Sequence, residues 1–153
     1  MMRILFVCLG NICRSPMAEY VMKRLAAEAG MADRFEIASA GTGEGELWGS
    51  PVYPQARQEL ARHGIACRGH ASRLLTRADY GCWDCLIGME PRNLRDMRRI
   101  CGGDPEGKMR LLMSFAGSGE GIEDPWYTGR FSEVYRQIDA GCRALLDALT
   151  RQA

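Results

Sequence analysis

ILFVCLGNICRSP, residues 4–16, is the stretch on which the fold turns. Ile4, Leu5, Phe6 and Val7 form an unbroken apolar run of strand length, rich in branched and aromatic side chains, which suits a strand buried on both faces of a parallel sheet. Gly10 and Asn11 tolerate positive φ, so the chain turns there, and Ser15-Pro16 reads as an N-cap followed by the first helical residue. Cys8 therefore stands where a strand ends, and Leu9 to Arg14 is a loop that feeds a helix N-terminus.

A helix start presents unpaired N–H groups and about half a positive charge, and successive loop amides form a concave nest for anions. Leu9, Gly10, Asn11, Ile12, Cys13 and Ser15 supply that nest, and Arg14 adds a planar fork able to grip two phosphoryl oxygens at once. The same field favours a thiolate at Cys8, with the Ser15 hydroxyl as further support for the sulfur.

The remaining chain supplies a frame. With 153 residues, 46% apolar and 25% charged, it has the size and composition of one soluble globular domain over residues 1–153. The net charge of +1 gives no footprint for nucleic acid or a membrane surface, and no apolar run is long enough for a signal peptide core or a span. The seven cysteines lack small-scaffold spacing, and a thiolate nucleophile needs a reducing compartment, so a cytoplasmic protein is expected. Self-association is expected to be weak or absent.

Periodicity predicts a helix from Pro16 to about Ala29, with Ala18, Val21, Met22, Leu25 and Ala29 on one face, then a second strand over 35–40. Gly43 to Ser50 reads as a rim loop, Pro51 to His63 as a second helix, and 65–76 as irregular, with Thr76 capping a short turn through Tyr80. A third strand over Trp83–Met89, a helix from Pro91 to about Ile100 and a fourth strand over Met109–Met113 follow. A long loop over 116–129 leads to a last helix from Phe131 to about Thr150. Alternating strands and helices predict an α/β, three-layer, doubly wound four-stranded parallel sheet of order 2-1-3-4, with its ligand crevice between strands one and three, at Cys8.

Thiolate attack on a phosphate ester expels an oxygen leaving group that departs better if protonated, so a carboxylic acid is needed. Asp124, in Glu123-Asp124-Pro125-Trp126-Tyr127, lies in the long loop at the same sheet edge as Cys8. Asp104-Pro105, in a Gly-Gly turn before the fourth strand, reads as a structural turn. Trp126 and Tyr127 are candidates for one wall of a cleft, with Trp48 or Leu47 opposite, and apolar walls suit a phenyl phosphate.

VCLGNICRSP resembles the signature loop of the low-molecular-weight protein tyrosine phosphatases, and the likeness extends over nearly the whole chain. The resemblance implies hydrolysis of phosphotyrosine in proteins, and of small aryl phosphates, through a cysteinyl-phosphate. Cys8 would be the nucleophile, Arg14 the phosphate binder and Asp124 the general acid and then base, with no metal and no cofactor. The implied partner is a phosphotyrosine-containing protein, a tyrosine kinase among the candidates. The resemblance also implies that Ser15, Ser39 and His70 hold Asn11 in a strained conformation, and that Cys13 can pair with Cys8 as a reversible guard against over-oxidation. Ile12 points to phosphotyrosine, since relatives acting on phosphoarginine carry threonine there.

Two departures and one cluster of charge stand out. Glu90 occupies a position where aspartate is usual, with the charge and a capping role expected to persist. The usual Trp-His-x-Gly rim is rebuilt as Glu46-Leu47-Trp48-Gly49. Arg92, Arg95, Arg98 and Arg99 crowd one helix, which reads as a solvated face before a docking patch for an acidic partner. An arsenate reductase of the same fold would need redox cysteines where Met89 and Glu90 stand, and the Cys82/Cys85 pair alone is weak evidence for zinc.

Overall fold

A computed structural model describes residues 1–44 and 48–151. Four parallel strands, β1 (Met2–Cys8), β2 (Phe35–Gly41), β3 (Cys85–Gly88) and β4 (Met109–Leu111), form a sheet of order β2-β1-β3-β4. This is the predicted topology. The apolar run of β1 is central because both neighbours pair with it: Ile4 faces Ile37 on one side and Cys85 on the other.

Side chains of β1 alternate between two cores, as a strand's period of two requires. Ile4, Phe6 and Cys8 enter a core with residues of α1 (Arg14–Glu28), α2 (Pro54–Arg62) and α6 (Phe131–Arg151), including Met17, Val21, Leu60, Val134, Ile138 and Leu145. Leu5 and Val7 enter the opposite core with Leu75, Trp83, Met97 and Met109, beside α3 (Asp79–Cys82) and α4 (Pro91–Cys101). Helices thus cover both faces of the sheet. The carboxyl ends of β1 and β3 open at the switch point, where Cys8 stands.

Several boundaries move for identifiable reasons. α1 begins at Arg14, with Cys13 at the cap, so Ser15 is not the N-cap; its hydroxyl serves Asn11 and Cys8 instead. α2 begins at Pro54, not Pro51, because Tyr53 is extended and its N–H donates to Ile12 O at 2.9 Å. The turn after Thr76 becomes α3: the Asp79 carboxylate accepts from Thr76 N–H at 2.8 Å and Asp79 N–H donates to Thr76 O. β4 stops at Leu111, where a 3-10 segment (Leu112–Ala116) takes over and Ser114 Oγ donates back to Leu111 O at 2.6 Å. The long loop carries one more short helix, α5 (Pro125–Thr128). Among the described residues no helix is long and apolar enough to cross a membrane.

Candidate active site

Cys8 ends β1 opposite Gly41 of β2 and is almost wholly buried. The loop after it packs so closely on the end of β2 that a Cβ on Gly41 would stand 2.7 Å from Leu9 O and 3.0 Å from the Trp48 indole. Only glycine fits there. Thr42 and Gly43 N–H groups donate to Leu9 O at 3.1 and 2.9 Å, pinning the first loop residue.

Asn11 is the one non-glycine residue at positive φ among the described residues, at +57°, a conformation that costs an L-residue roughly 1–2 kcal/mol. Three braces hold it. Its Nδ2 donates to Ser15 Oγ at 2.8 Å, its Oδ1 accepts from Arg73 N–H at 3.1 Å, and its backbone oxygen accepts from His70 Nε2 at 2.8 Å. Because Ser15 Oγ receives the Asn11 proton, its own proton is available to Cys8 Sγ, 3.0 Å away, with Ala40 O more distant at 3.5 Å. The same serine thus fixes the loop and solvates the sulfur.

Of the expected braces, Ser15 and His70 reach Asn11 and Ser39 does not. The Ser39 hydroxyl donates to Glu19 Oε1 at 2.6 Å, inside α1, because that buried carboxylate lies on the helix face above β2. The Arg73 amide, invisible to side-chain reasoning, contacts Asn11 instead. Arg73 is itself clamped: its guanidinium donates to both Asp79 oxygens at 2.9 and 3.1 Å. Burial pushes the Asp79 carboxyl up in pKa, but the Arg73 guanidinium, Thr76 N–H and the Trp83 indole outweigh it and hold the group below the usual carboxylate range.

Arg14, 2% exposed, turns its fork toward the loop over β3. Nη1 donates to the Glu90 carboxylate and to Ile122 O, the latter at 2.8 Å, and Nη2 lies 3.5 Å from Asp124 Oδ2. Burial opposes the charge, but Cys8, Glu90 and Asp124 together raise the guanidinium pKa above its ordinary value. Glu90 thus pairs with Arg14 and also stands as the N-cap of α4 in a capping box with Asn93, whose Oδ1 accepts from Met89 and Glu90 N–H groups at 3.0 Å each, so the expected capping role persists. Gly121 makes this crossing possible, since a Cβ there would lie 2.7 Å from Glu90 Cβ. Ile122 N–H then donates to Met89 O at 2.8 Å, and the chain arrives over the anion loop at Asp124.

Asp124 caps α5, its Oδ1 accepting from Trp126 N–H at 3.0 Å, which leaves Oδ2 toward Arg14. Cys8, Leu9, Gly10, Ile12, Cys13, Arg14, Asp124, Trp126 and Tyr127 line one cavity of about 240 Å³. Trp126 and Tyr127 form the expected wall. Trp48 is not among the lining residues: its ring lies against Gly41, and Leu9 and Ile12 are the apolar side chains that line the cavity besides the two aromatics and the cysteines. Glu46 and Leu47 of the rebuilt rim lie outside the described residues.

Tyr53 is a residue that sequence reasoning missed. Its ring meets Trp126 at 4.7 Å between centroids and stacks on Phe131 at 6.1 Å, while its N–H holds Ile12 O. It therefore ties the anion loop, the acid loop and the start of α6 together. The only local signal was an aromatic residue directly before Pro54, where a helix cap would ordinarily be polar.

Other candidates separate cleanly. Asp104 accepts from the Tyr80 hydroxyl at 2.7 Å and from Lys108 and Met109 N–H groups, a turn leading into β4. Cys13 is a buried thiol on the cavity wall whose pKa is pushed up by burial and then by the neighbouring Cys8. Among the described residues no group of three or more histidine, cysteine or acidic side chains is placed to hold a metal ion, and Cys82 and Cys85 are free thiols.

A thiol thus stands at the end of a central strand of a doubly wound sheet, beneath an arginine-bearing loop that opens a helix. Residues 3–153 match the family model described as low molecular weight phosphotyrosine protein phosphatase, and the chain belongs to that family. It is 34% identical over 154 residues to a low molecular weight protein-tyrosine-phosphatase of Bacillus subtilis, YfkJ, covering 99% of this chain and 98% of that one. The crystal structure of YfkJ superposes with a TM-score of 0.95, over 99% of this chain and 96% of that chain. The human low molecular weight phosphotyrosine protein phosphatase is 36% identical over 149 residues, covering 94% of this chain and 93% of that one. A Drosophila arginine phosphatase structure is similar too, with a TM-score of 0.88, 31% identity, and coverage of 97% and 98%.

Proposed function

We propose that this chain hydrolyses phosphotyrosine in protein substrates through a cysteinyl-phosphate. The carrying observation is that Cys8, Arg14 and Asp124 line one cavity with an aromatic wall. Cys8 Sγ attacks phosphorus in line and the P–O bond to the tyrosine breaks. Arg14 and the loop amides hold the equatorial oxygens as charge redistributes, and Asp124 delivers a proton to the departing phenolate. Asp124, now a carboxylate, takes a proton from water, which attacks phosphorus and returns the Cys8 thiolate and inorganic phosphate. The three roles rest on the chemistry each side chain can do at its position and on the family to which the chain belongs.

The test is turnover of p-nitrophenyl phosphate and of a phosphotyrosine peptide. Cys8→Ser should abolish both. Asp124→Asn should slow the peptide more than the aryl phosphate, by about 10²- to 10⁴-fold, since p-nitrophenolate leaves without a proton. Full activity in either variant would sink the scheme.

Ile12 on the cavity wall supports phosphotyrosine over phosphoarginine, the substrate class named for the Drosophila relative. Faster hydrolysis of phosphoarginine peptides would overturn that choice and leave the chemistry. Cys13 supports a redox guard: a sulfenic acid at Cys8 condenses with the Cys13 thiol, forming a disulfide and releasing water. Peroxide inactivation should then be reversed by dithiothreitol in the unaltered protein and not in Cys13→Ser; equal recovery of the two would refute the guard.

A further inference from the structure

Glu59 is a buried charge for which the proposed chemistry has no direct use. It lies in α2 with its side chain 2% exposed, a costly place for a carboxylate unless it is paired. Three groups meet it: Ser132 Oγ and Arg62 Nη1 donate to Oε1 at 2.8 and 2.7 Å, and His63 Nε2 stands 3.0 Å from Oε2. Burial pushes the Glu59 pKa up, but the bonds from Ser132, His63 and Arg62 outweigh it and hold the carboxyl below the usual range, so it is ionised at neutral pH. Arg62 and His63 belong to the end of α2 itself. Ser132 comes from elsewhere, 73 residues along the chain, and is the second residue of α6.

Between Asp124 and Ser132 the chain has little slack. Tyr127 N–H donates to Asp124 O at 3.1 Å, Gly129 N–H to Pro125 O at 2.8 Å, Phe131 N–H to Gly129 O at 3.0 Å and Val134 N–H to Arg130 O at 3.1 Å, so turns follow one another from the acid into α6. Gly129, Phe131 and Ser132 line one small cavity with Glu59, which sets the end of α5 beside the carboxylate. Phe131 also stacks on Tyr53, whose ring meets Trp126. A shift at the start of α6 is therefore passed back towards Asp124 by backbone and by rings. The ion pair of Arg130 with Glu123 ties the same segment, but the Arg130 side chain is 65% exposed, whereas Glu59 is shielded from solvent and its hold is screened less.

We infer that Glu59 is a positioning residue for Asp124: by holding Ser132 it fixes the downstream end of the acid loop, and with it the distance over which the proton reaches the leaving phenolate. The inference rests on the phosphatase reading and deepens its acid step. Glu59 touches neither the active-site cavity nor the reacting atoms, so it acts only through the loop. A proton is handed over within hydrogen-bond reach, and misplacing a group by about 1 Å costs up to about 10²-fold. The attack by Cys8 does not run through this tie. Loss of the tie therefore shows as sensitivity to the leaving group.

The experiment compares kcat/KM for phenyl phosphate, whose phenolate leaves as poorly as tyrosinate, with that for p-nitrophenyl phosphate, whose phenolate leaves without a proton; both are too small to sample peptide contacts. Ser132→Ala removes the hydroxyl at an exposed position, and should lower the phenyl phosphate value about three- to tenfold and the p-nitrophenyl phosphate value by less than about twofold. Ser132→Thr keeps the hydroxyl and should restore the ratio. Glu59→Ala should show the same selective loss with a lower melting temperature, and the serine variants decide the matter if it does not fold. Ser132→Ala added to Asp124→Asn should cost no more than Asp124→Asn alone, since both act on one proton. Equal losses on the two substrates, no loss at all, or losses that add in the double variant overturn the positioning role and leave the phosphatase reading standing. Absence of turnover by the unaltered protein, or equal losses on the two substrates in Asp124→Asn, overturns that reading and this inference with it.

Discussion

The two loops that meet at the cavity are built on opposite plans. The anion loop is buried and cross-braced: Asn11 and Ser15 have no exposure, and Asn11 alone donates one hydrogen bond to Ser15 and accepts two, from His70 and Arg73. The acid loop hangs from a few ties, Ile122 to Met89 and Arg14, Glu123 to Arg130, and the Trp126 ring against Tyr53, while Trp126 is 53% and Tyr127 78% exposed. For the phosphoryl binding proposed above rigidity is an advantage, because donors aimed beforehand need not reorganise during reaction. A wall that admits different peptides gains from yielding. Under the proposed function, the contrast assigns catalytic fixity to one loop and substrate choice to the other.

The sharpest way to break that contrast is to soften the rigid side at its cation. Arg14→Lys keeps the charge but loses the fork that spans Glu90, Ile122 O and Asp124, and kcat/KM on p-nitrophenyl phosphate should fall about 10²- to 10³-fold with little change in thermal stability. Asn11→Ala attacks the same loop through its backbone. It leaves a left-handed residue without its bonds to Ser15 and Arg73, so a loss of about 2–3 kcal/mol in unfolding free energy should accompany a large fall in kcat. An unchanged denaturant midpoint would mean that the loop is not braced as described.

One step further out, Asp79 secures the segment that carries Arg73. Its folded pKa lies below its unfolded value of about 3.9, so its stabilisation is complete above that pH and is lost as pH falls through the folded value. Asp79→Asn should therefore cost about 1–3 kcal/mol at neutral pH, with the gap to the unaltered protein narrowing below about pH 4. The smallest effect belongs to the yielding side. Tyr53→Ala should remove the Trp126 contact, worth about 0.5–1.5 kcal/mol, raising KM for peptides more than it lowers kcat, whereas Tyr53→Phe should behave normally. Equal losses in the two would move the effect from the ring to the hydroxyl.

The rigid loop was also the legible one. An apolar run, a cysteine, Gly-Asn and Arg-Ser-Pro are all local signals, and from them came the central strand, the sheet order and the place of the site. What escaped notice depends on partners far along the chain. Nothing near Ser39 shows that Glu19 will claim its hydroxyl, and nothing near Glu90 shows that it will pair with Arg14 besides capping α4. Trp48 reads as a cleft wall by its type, but the absent side chain of Gly41 makes room for its ring beside β2. Tyr53 reads as helix because Pro51 precedes it, until its amide is seen to hold Ile12.

The braces of the anion loop bear on the order of assembly. Asn11 is closed by partners 59 and 62 residues away, and Arg14 by an oxygen 108 residues away. Contacts of such sequence separation form after local ones, since the entropy of closing the intervening chain must be overcome first. Helix and sheet signals should therefore return early on refolding, with turnover of an aryl phosphate as the last signal to recover. A chain ending before Ile122 would keep Cys8 and still lack the oxygen that holds Arg14, so this short motif near the first residues is fully braced only when almost the whole chain has closed around it.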